Sequence, residues 1–104
     1  SARVTELLRT NPGQIWTCEQ VASHFHLSSR TLMRYLRDEN TSYQTLRDSE
    51  LGRQAKLSLM VSTNTVESVA LSLGYQEASN FRRAFKRWFG ITPQDFHAEN
   101  QKGR

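Results

Sequence analysis

A chain of 104 residues has room for one compact domain, or for two very small ones sharing a core. Hydrophobic residues at 37% and charged residues at 23% place it among folded proteins rather than disordered ones. Fourteen Lys and Arg against ten Asp and Glu leave a net +4, which suits a polyanionic partner such as nucleic acid or an anionic membrane surface.

The chain opens Ser1-Ala2-Arg3-Val4, with neither an initiator Met nor a signal-peptide core, and is expected to be an excised piece of a longer protein. No apolar run approaches the ~18 residues of a membrane span. Residues 2–10 carry Val4, Leu7 and Leu8 at helical spacing, and Asn11-Pro12-Gly13 ends that helix. Thr17 caps a second helix, with Gln20 completing a capping box and Val21, Ala22 and Phe25 facing a core. Cys18 is the single cysteine, so it forms no internal disulfide and no zinc site. It is read as a buried or half-buried thiol in a reducing cytoplasm. His26-Leu27-Ser28 breaks the run, and Ser28 caps a third helix carrying Leu32, Tyr35 and Leu36. Glu39-Asn40-Thr41 is a turn, because Asn tolerates the left-handed conformation at a helix C-terminus.

A long linker helix follows from about Ser42 to about Val61, with Tyr43, Leu46, Leu51, Ala55, Leu59 and Met60 as its apolar positions. Gly52 inside it costs roughly 1 kcal/mol relative to Ala, which predicts tight packing against another helix. Thr65 caps a short helix holding Val66, Val69, Ala70 and Leu73, and Gly74 ends it. The next helix covers residues 78–89, with Phe81, Ala84, Phe85 and Trp88 on one face, and Gly90 stops it. Thr92-Pro93 opens a last short helix, with Thr as cap and Pro at its first position. The tail from 101 to 104 is expected to fray. No segment alternates apolar and polar residues as a strand does, so the fold class is all-α.

The most informative feature is an internal repeat. Thr17-Cys18-Glu19-Gln20-Val21-Ala22 aligns with Thr65-Val66-Glu67-Ser68-Val69-Ala70 at an offset of 48, sharing Thr, Glu, Val and Ala. Past the turn the offset becomes 49. Leu32 then pairs with Phe81, Arg34 with Arg83, Leu36 with Phe85 and Arg37 with Lys86. Each copy is a short helix with an inward Ala, a tight turn and a basic helix, which is the helix-turn-helix arrangement. The expected division is residues 1–62 for the first subdomain with its linker helix, and 63–100 for the second.

Charge follows the repeat. Residues 28–37 contain Arg30, Arg34 and Arg37 and no acid; residues 78–89 contain Arg82, Arg83, Lys86 and Arg87 and no acid. The rest of the chain has seven bases against ten acids. A basic helix that merely faced water would interleave acids at i+4 spacing, and neither does. A linker helix of about 20 residues is roughly 30 Å long, close to the ~34 Å turn of B-DNA, so its two ends suit successive major grooves on one face. Double-stranded RNA has too narrow a major groove to admit them.

Residues 17–97 resemble the DNA-binding domain of the AraC/XylS family of bacterial transcription regulators. The resemblance rests on Val21-Ala22, Leu27-Ser28-Ser29-Arg30-Thr31-Leu32-Met33-Arg34-Tyr35-Leu36, Val69-Ala70 and Gly74-Tyr75. It rests most specifically on Phe81-Arg82-Arg83-Ala84-Phe85-Lys86-Arg87-Trp88-Phe89-Gly90-Ile91-Thr92-Pro93. It implies a homeodomain-like fold of seven helices, with two helix-turn-helix motifs joined by a long linker helix. The implied function is sequence-specific binding of promoter duplex DNA in the bacterial cytoplasm and nucleoid, to activate or repress transcription. RNA polymerase is a further partner, and effector binding or dimerisation belongs to a separate domain. Asn40 stands where the family commonly has Gly. Phe96-His97 replaces its Tyr-Arg, so no contact is carried over there.

The same resemblance assigns groove-facing positions. On the first basic helix they are Ser29, Arg30, Thr31, Met33 and Arg34; on the second, Ala78, Ser79, Asn80, Arg82 and Arg83. Arg30 suits a bidentate contact to guanine O6 and N7, Thr31 a phosphate or thymine methyl, and Asn80 adenine or a phosphate. Arg37, Lys86 and Arg87 suit phosphates. His24 and His26 point to different faces of a helix with no third ligand near, so no metal site is expected. Without a Gly-rich phosphate loop, paired carboxylates or a Cys/His dyad, the chain has the parts of no enzyme, and no cofactor is expected.

Overall fold

Helix starts in this chain are written by side chains that accept from the first free backbone N–H groups. In the computed structural model, which describes residues 2–10 and 16–101, Thr17 Oγ1 accepts from the Gln20 amide at 3.1 Å while Gln20 Oε1 accepts from the Thr17 amide at 2.9 Å. Thr65 and Ser68 repeat this reciprocal box at 3.0 Å each way. Ser28 accepts from the Thr31 amide, and Thr92 from the Asp95 amide. The helices among the described residues are α1 (Ala2–Thr10), α2 (Cys18–His24), α3 (Ser29–Asp38), α4 (Tyr43–Leu59), α5 (Val66–Ser72), α6 (Ala78–Phe89) and α7 (Pro93–Gln101). No strand occurs among those residues. The fold is all-α, as the punctuation predicts. The breaker Asn11-Pro12-Gly13 and the last three residues of the tail lie outside the described residues; Gln101 closes α7.

Helix ends obey the same economy. Each helix-turn-helix turn uses one residue with positive φ, His26 at 60° in the first and Gly74 at 94° in the second. The amide one position later returns to the inward Ala: Leu27 N–H donates to the Ala22 carbonyl at 2.8 Å, and Tyr75 N–H to the Ala70 carbonyl at 3.0 Å. The two turns are therefore one structure. The extra residue of the second copy is Gln76, between this bond and Glu77, which precedes α6.

The chain forms two compact units, residues 1–50 and 51–104. In the first, Val4, Leu7 and Leu8 of α1 pack with Val21 and Ala22 of α2 and Leu32 and Leu36 of α3, and Tyr43 and Leu46 of α4 close the cluster. Arg9 donates from Nε and Nη2 to the buried carboxylate of Glu50, 3.3 Å each, so α1 supplies the charge that a buried acid requires. In the second, Ala55 and Leu59 of α4 pack with Val66, Val69, Ala70 and Leu73 and with Phe81 and Phe85 of α6. The linker helix thus serves both cores: its first half completes one and its second half the other.

Five expectations shift. The linker helix is 17 residues, Tyr43–Leu59, or about 26 Å. Asn64 Nδ2 donates to the Ser58 carbonyl at 2.8 Å and helps turn the chain there. Met60 falls beyond the helix and is exposed, and Tyr35 is exposed as well, because Leu32 and Leu36 alone define the inward face of α3. Helix α3 runs one residue further than expected and ends on an acid, Asp38. Trp88 and Phe89 are both half-buried, but it is Phe89 that packs against the second core, 4.7 Å from the Phe85 ring centroid.

That place explains Gly52. A Cβ there would sit 2.7 Å from Cζ of Phe89, so the Phe89 ring occupies the space that a side chain at position 52 would take. Lys56 lies one turn further along α4, with Nζ 3.9 Å from the Phe89 ring centroid. Gly52→Ala is therefore expected to destabilise the protein by about 1 kcal/mol, since overpacking costs roughly 1–3 and better helix propensity returns about 1. In a Phe89→Leu background the same change should be neutral or stabilising. Urea denaturation of the four proteins checks this, and a wild-type background stabilised by Gly52→Ala would overturn it.

Candidate nucleic-acid interface

Two helices with consumed apolar faces present what remains. On α3, Leu32 and Leu36 point inward at 3% and 1% exposure, which turns Arg30, Met33, Arg34 and Arg37 to solvent. On α6, Phe81, Ala84 and Phe85 point inward and leave Ser79, Asn80, Arg83, Lys86 and Arg87 exposed. The repeat holds in the cores: Leu32 and Phe81, and Leu36 and Phe85, occupy equivalent buried positions.

Not every candidate is equally presented. Ser29 and Thr31 are half-buried at the start of α3, and the Thr31 hydroxyl accepts from Ser28 Oγ at 2.9 Å as part of the cap. Ala78 packs against the second core rather than standing free. Arg82 is half-buried and donates from Nη2 to the carboxylate of Glu67 on α5. Arg83 donates to Asn80 Oδ1 one turn back on its own helix. Arg34 lies 6.0 Å from the Tyr35 ring centroid. Arg30, Arg37, Lys86 and Arg87 have no acidic partner among the described residues.

Beside α3 runs a groove of about 670 Å³, with Cys18 at one wall, Arg30, Met33, Arg34 and Arg37 at another, and Thr41–Gln44 at the first turn of α4. Residues 41–44 were not among the sequence candidates. Their one signal was a cap: Ser42 Oγ accepts from the Thr45 amide at 3.1 Å and so starts α4 at this spot. Burial pushes the Cys18 thiol above its ordinary pKa, and the nearby Glu19 adds to the shift. Cys18 therefore remains a protonated thiol at neutral pH. Burial also raises Tyr43, against the opposing charge of Arg47, and its hydroxyl donates to the Trp16 carbonyl.

Glu67 is the other residue that sequence reasoning missed. The charge count on α6 contained no acid because Arg82's counterion sits on a different helix, 15 residues earlier. The available signal was its identity with Glu19 in the repeat. No group of His, Cys, Asp and Glu able to hold a metal ion exists among the described residues, and no helix there is long and apolar enough to cross a membrane.

Comparison with known proteins places this geometry. The "Helix-turn-helix domain" family profile matches residues 21–99. The ornithine utilization regulator of Pseudomonas aeruginosa is 39% identical over 94 residues, covering 90% of this chain but 28% of that regulator, so the chain spans just over a quarter of that relative's length. A DNA-binding transcriptional dual regulator from Escherichia coli K-12 superposes with a TM-score of 0.90 at 28% identity, covering 96% of this chain and 90% of the other. The DNA-binding domain of AdpA, solved with a target DNA, has the same fold: TM-score 0.88 at 23% identity, covering 99% of this chain and 94% of that one. The chain belongs to the AraC/XylS family of bacterial transcriptional regulators and carries its DNA-binding helix-turn-helix domain.

Proposed function

We propose that this chain reads promoter duplex DNA by inserting α3 and α6, one from each unit, into major-groove segments. The observation that carries this reading is the pair of equivalent basic helices, each with its apolar face used up in its own core and its arginines turned outward. Arg30 and Arg83 take base edges, with guanine O6 and N7 the matching acceptors. Met33, 53% exposed, makes the apolar contact, to a thymine methyl. Asn80 takes adenine or a phosphate, and Arg34 shares the Arg30 face. Arg37, Lys86 and Arg87 hold phosphates, and Ser29, Thr31 and Ser79 in the first turns stand beside them, while Ala78 is spent on the second core. The full regulator controls promoter transcription in the bacterial cytoplasm and nucleoid, with RNA polymerase as a partner and effector binding or dimerisation in a separate domain.

Selection of bound duplexes from a random pool tests this. Two half-sites about one helical turn apart are expected, with a preference over random duplex of roughly 10³-fold or more at physiological salt. Equal affinity for selected and random duplexes would reduce the chain to a non-specific polyanion binder and overturn the reading.

A further inference from the structure

The two copies of the repeat differ in one electrostatic contact. Glu19 and Glu67 occupy the same place, the second residue of α2 and of α5, where a carboxylate favours the helix start. Beyond the turn, the offset of 49 sets Arg82 where the first copy has Met33. Glu67 accordingly accepts from Arg82, whereas Met33 offers Glu19 nothing, and Glu19 pairs with no base among the described residues. Helix α6 thus carries two arginines already held, Arg82 by an acid on the neighbouring helix and Arg83 by Asn80. On α3, Arg30 and Arg37 have no such anchor.

The Glu67 side chain is 60% exposed, so the pair contributes little to the stability of the free protein. Its consequence is at the DNA. A guanidinium held in one orientation has less rotamer freedom to lose on binding. A carboxylate beside it repels the phosphodiester backbone, and a docking register that brings phosphates onto Arg82 brings them onto Glu67 too. Resting on the reading of α6 as a DNA-facing helix, we infer that Glu67 is a positioning residue for that helix. It orients Arg82 and opposes non-specific docking, so discrimination by the second unit depends on an acid that touches no base. The first unit has no counterpart to this device.

The test uses the 104-residue chain, a duplex selected by the wild-type protein, and a scrambled duplex of the same length and composition, with affinities measured across a salt series. Glu67→Gln is expected to tighten binding to the scrambled duplex, steepen its salt dependence and lower the selected-to-scrambled ratio about 3- to 10-fold. In an Arg82→Met background, which copies the first unit, Glu67→Gln should leave the ratio unchanged. Glu19→Gln removes the same charge at the equivalent place and should also leave it unchanged. Circular dichroism verifies that each variant is folded. If Arg82→Met weakens binding but Glu67→Gln leaves the ratio intact, or if Glu19→Gln lowers it equally, the role of Glu67 is overturned and the reading of α6 stands. If Arg82→Met alters binding to neither duplex, Arg82 is not at the interface and the role of Glu67 falls, while the reading of α6 still stands or falls with Arg83→Ala.

Discussion

Replacing Phe85 with alanine is expected to lower the unfolding free energy by about 3–5 kcal/mol. Phe85 is fully buried, and its ring meets three others, with centroids at 5.9 Å for Phe81, 4.7 Å for Phe89 and 5.7 Å for Phe96. These are tilted and edge-to-face arrangements, each worth about 0.5–1.5 kcal/mol beyond the area that it buries. They also join α6 to α7, since Phe96 of α7 packs against the second core with its ring on Phe85. Truncation leaves a cavity that two units of about fifty residues have few other side chains to fill. Against a typical total stability of about 5–15 kcal/mol, the loss would leave the second core close to unfolding. Urea denaturation followed by circular dichroism measures it. A change under about 1 kcal/mol would show that α6 is not anchored as described.

Arg30→Ala and Arg83→Ala are each expected to weaken binding to a selected duplex by about 1–3 kcal/mol while leaving the helices intact. Both side chains project from helices whose inward faces are complete without them, and surface changes of this kind usually alter stability by less than about 0.5 kcal/mol. The salt series separates two modes of contact. An arginine on a base edge relaxes preference at one position of the site, whereas one on phosphate weakens all duplexes alike and reduces the salt slope by about 1. Unchanged affinity in both variants would sink the proposed interface, and lost helicity would make the arginines structural instead.

How much of this was legible in the sequence depends on the range of each interaction. The starts of α2, α3, α5 and α7 were readable because a cap joins residues only three apart, as Thr17 to Gln20 and Ser28 to Thr31. Gly74, Gly90 and Asn40 announced helix ends, since glycine and asparagine tolerate positive φ. His26 was read only as part of the break His26-Leu27-Ser28, although it takes the same positive-φ place as Gly74; the paired returns to Ala22 and Ala70 reveal the equivalence. The repeat was readable because identical short spacings recur at a nearly constant offset.

Other features depend on residues far apart in the chain. Periodicity on α6 put Trp88 beside Phe85, but the space left by Gly52, on another helix, receives Phe89 instead. Arg82 read as a free charge until α5 brought Glu67 to it. Tyr35 and Met60 read as core residues by type, yet the inward faces were already filled by Leu36 and Leu59. By itself the sequence determined the number of helices, their limits to within a residue or two, the duplication and the place of the charge. Those follow from caps, turns and periodic patterns, all of them local or repeating. Only the tertiary structure decided which aromatic fills the second core and which arginine is held, because one gap accepts one ring and an ion pair needs a partner from another helix.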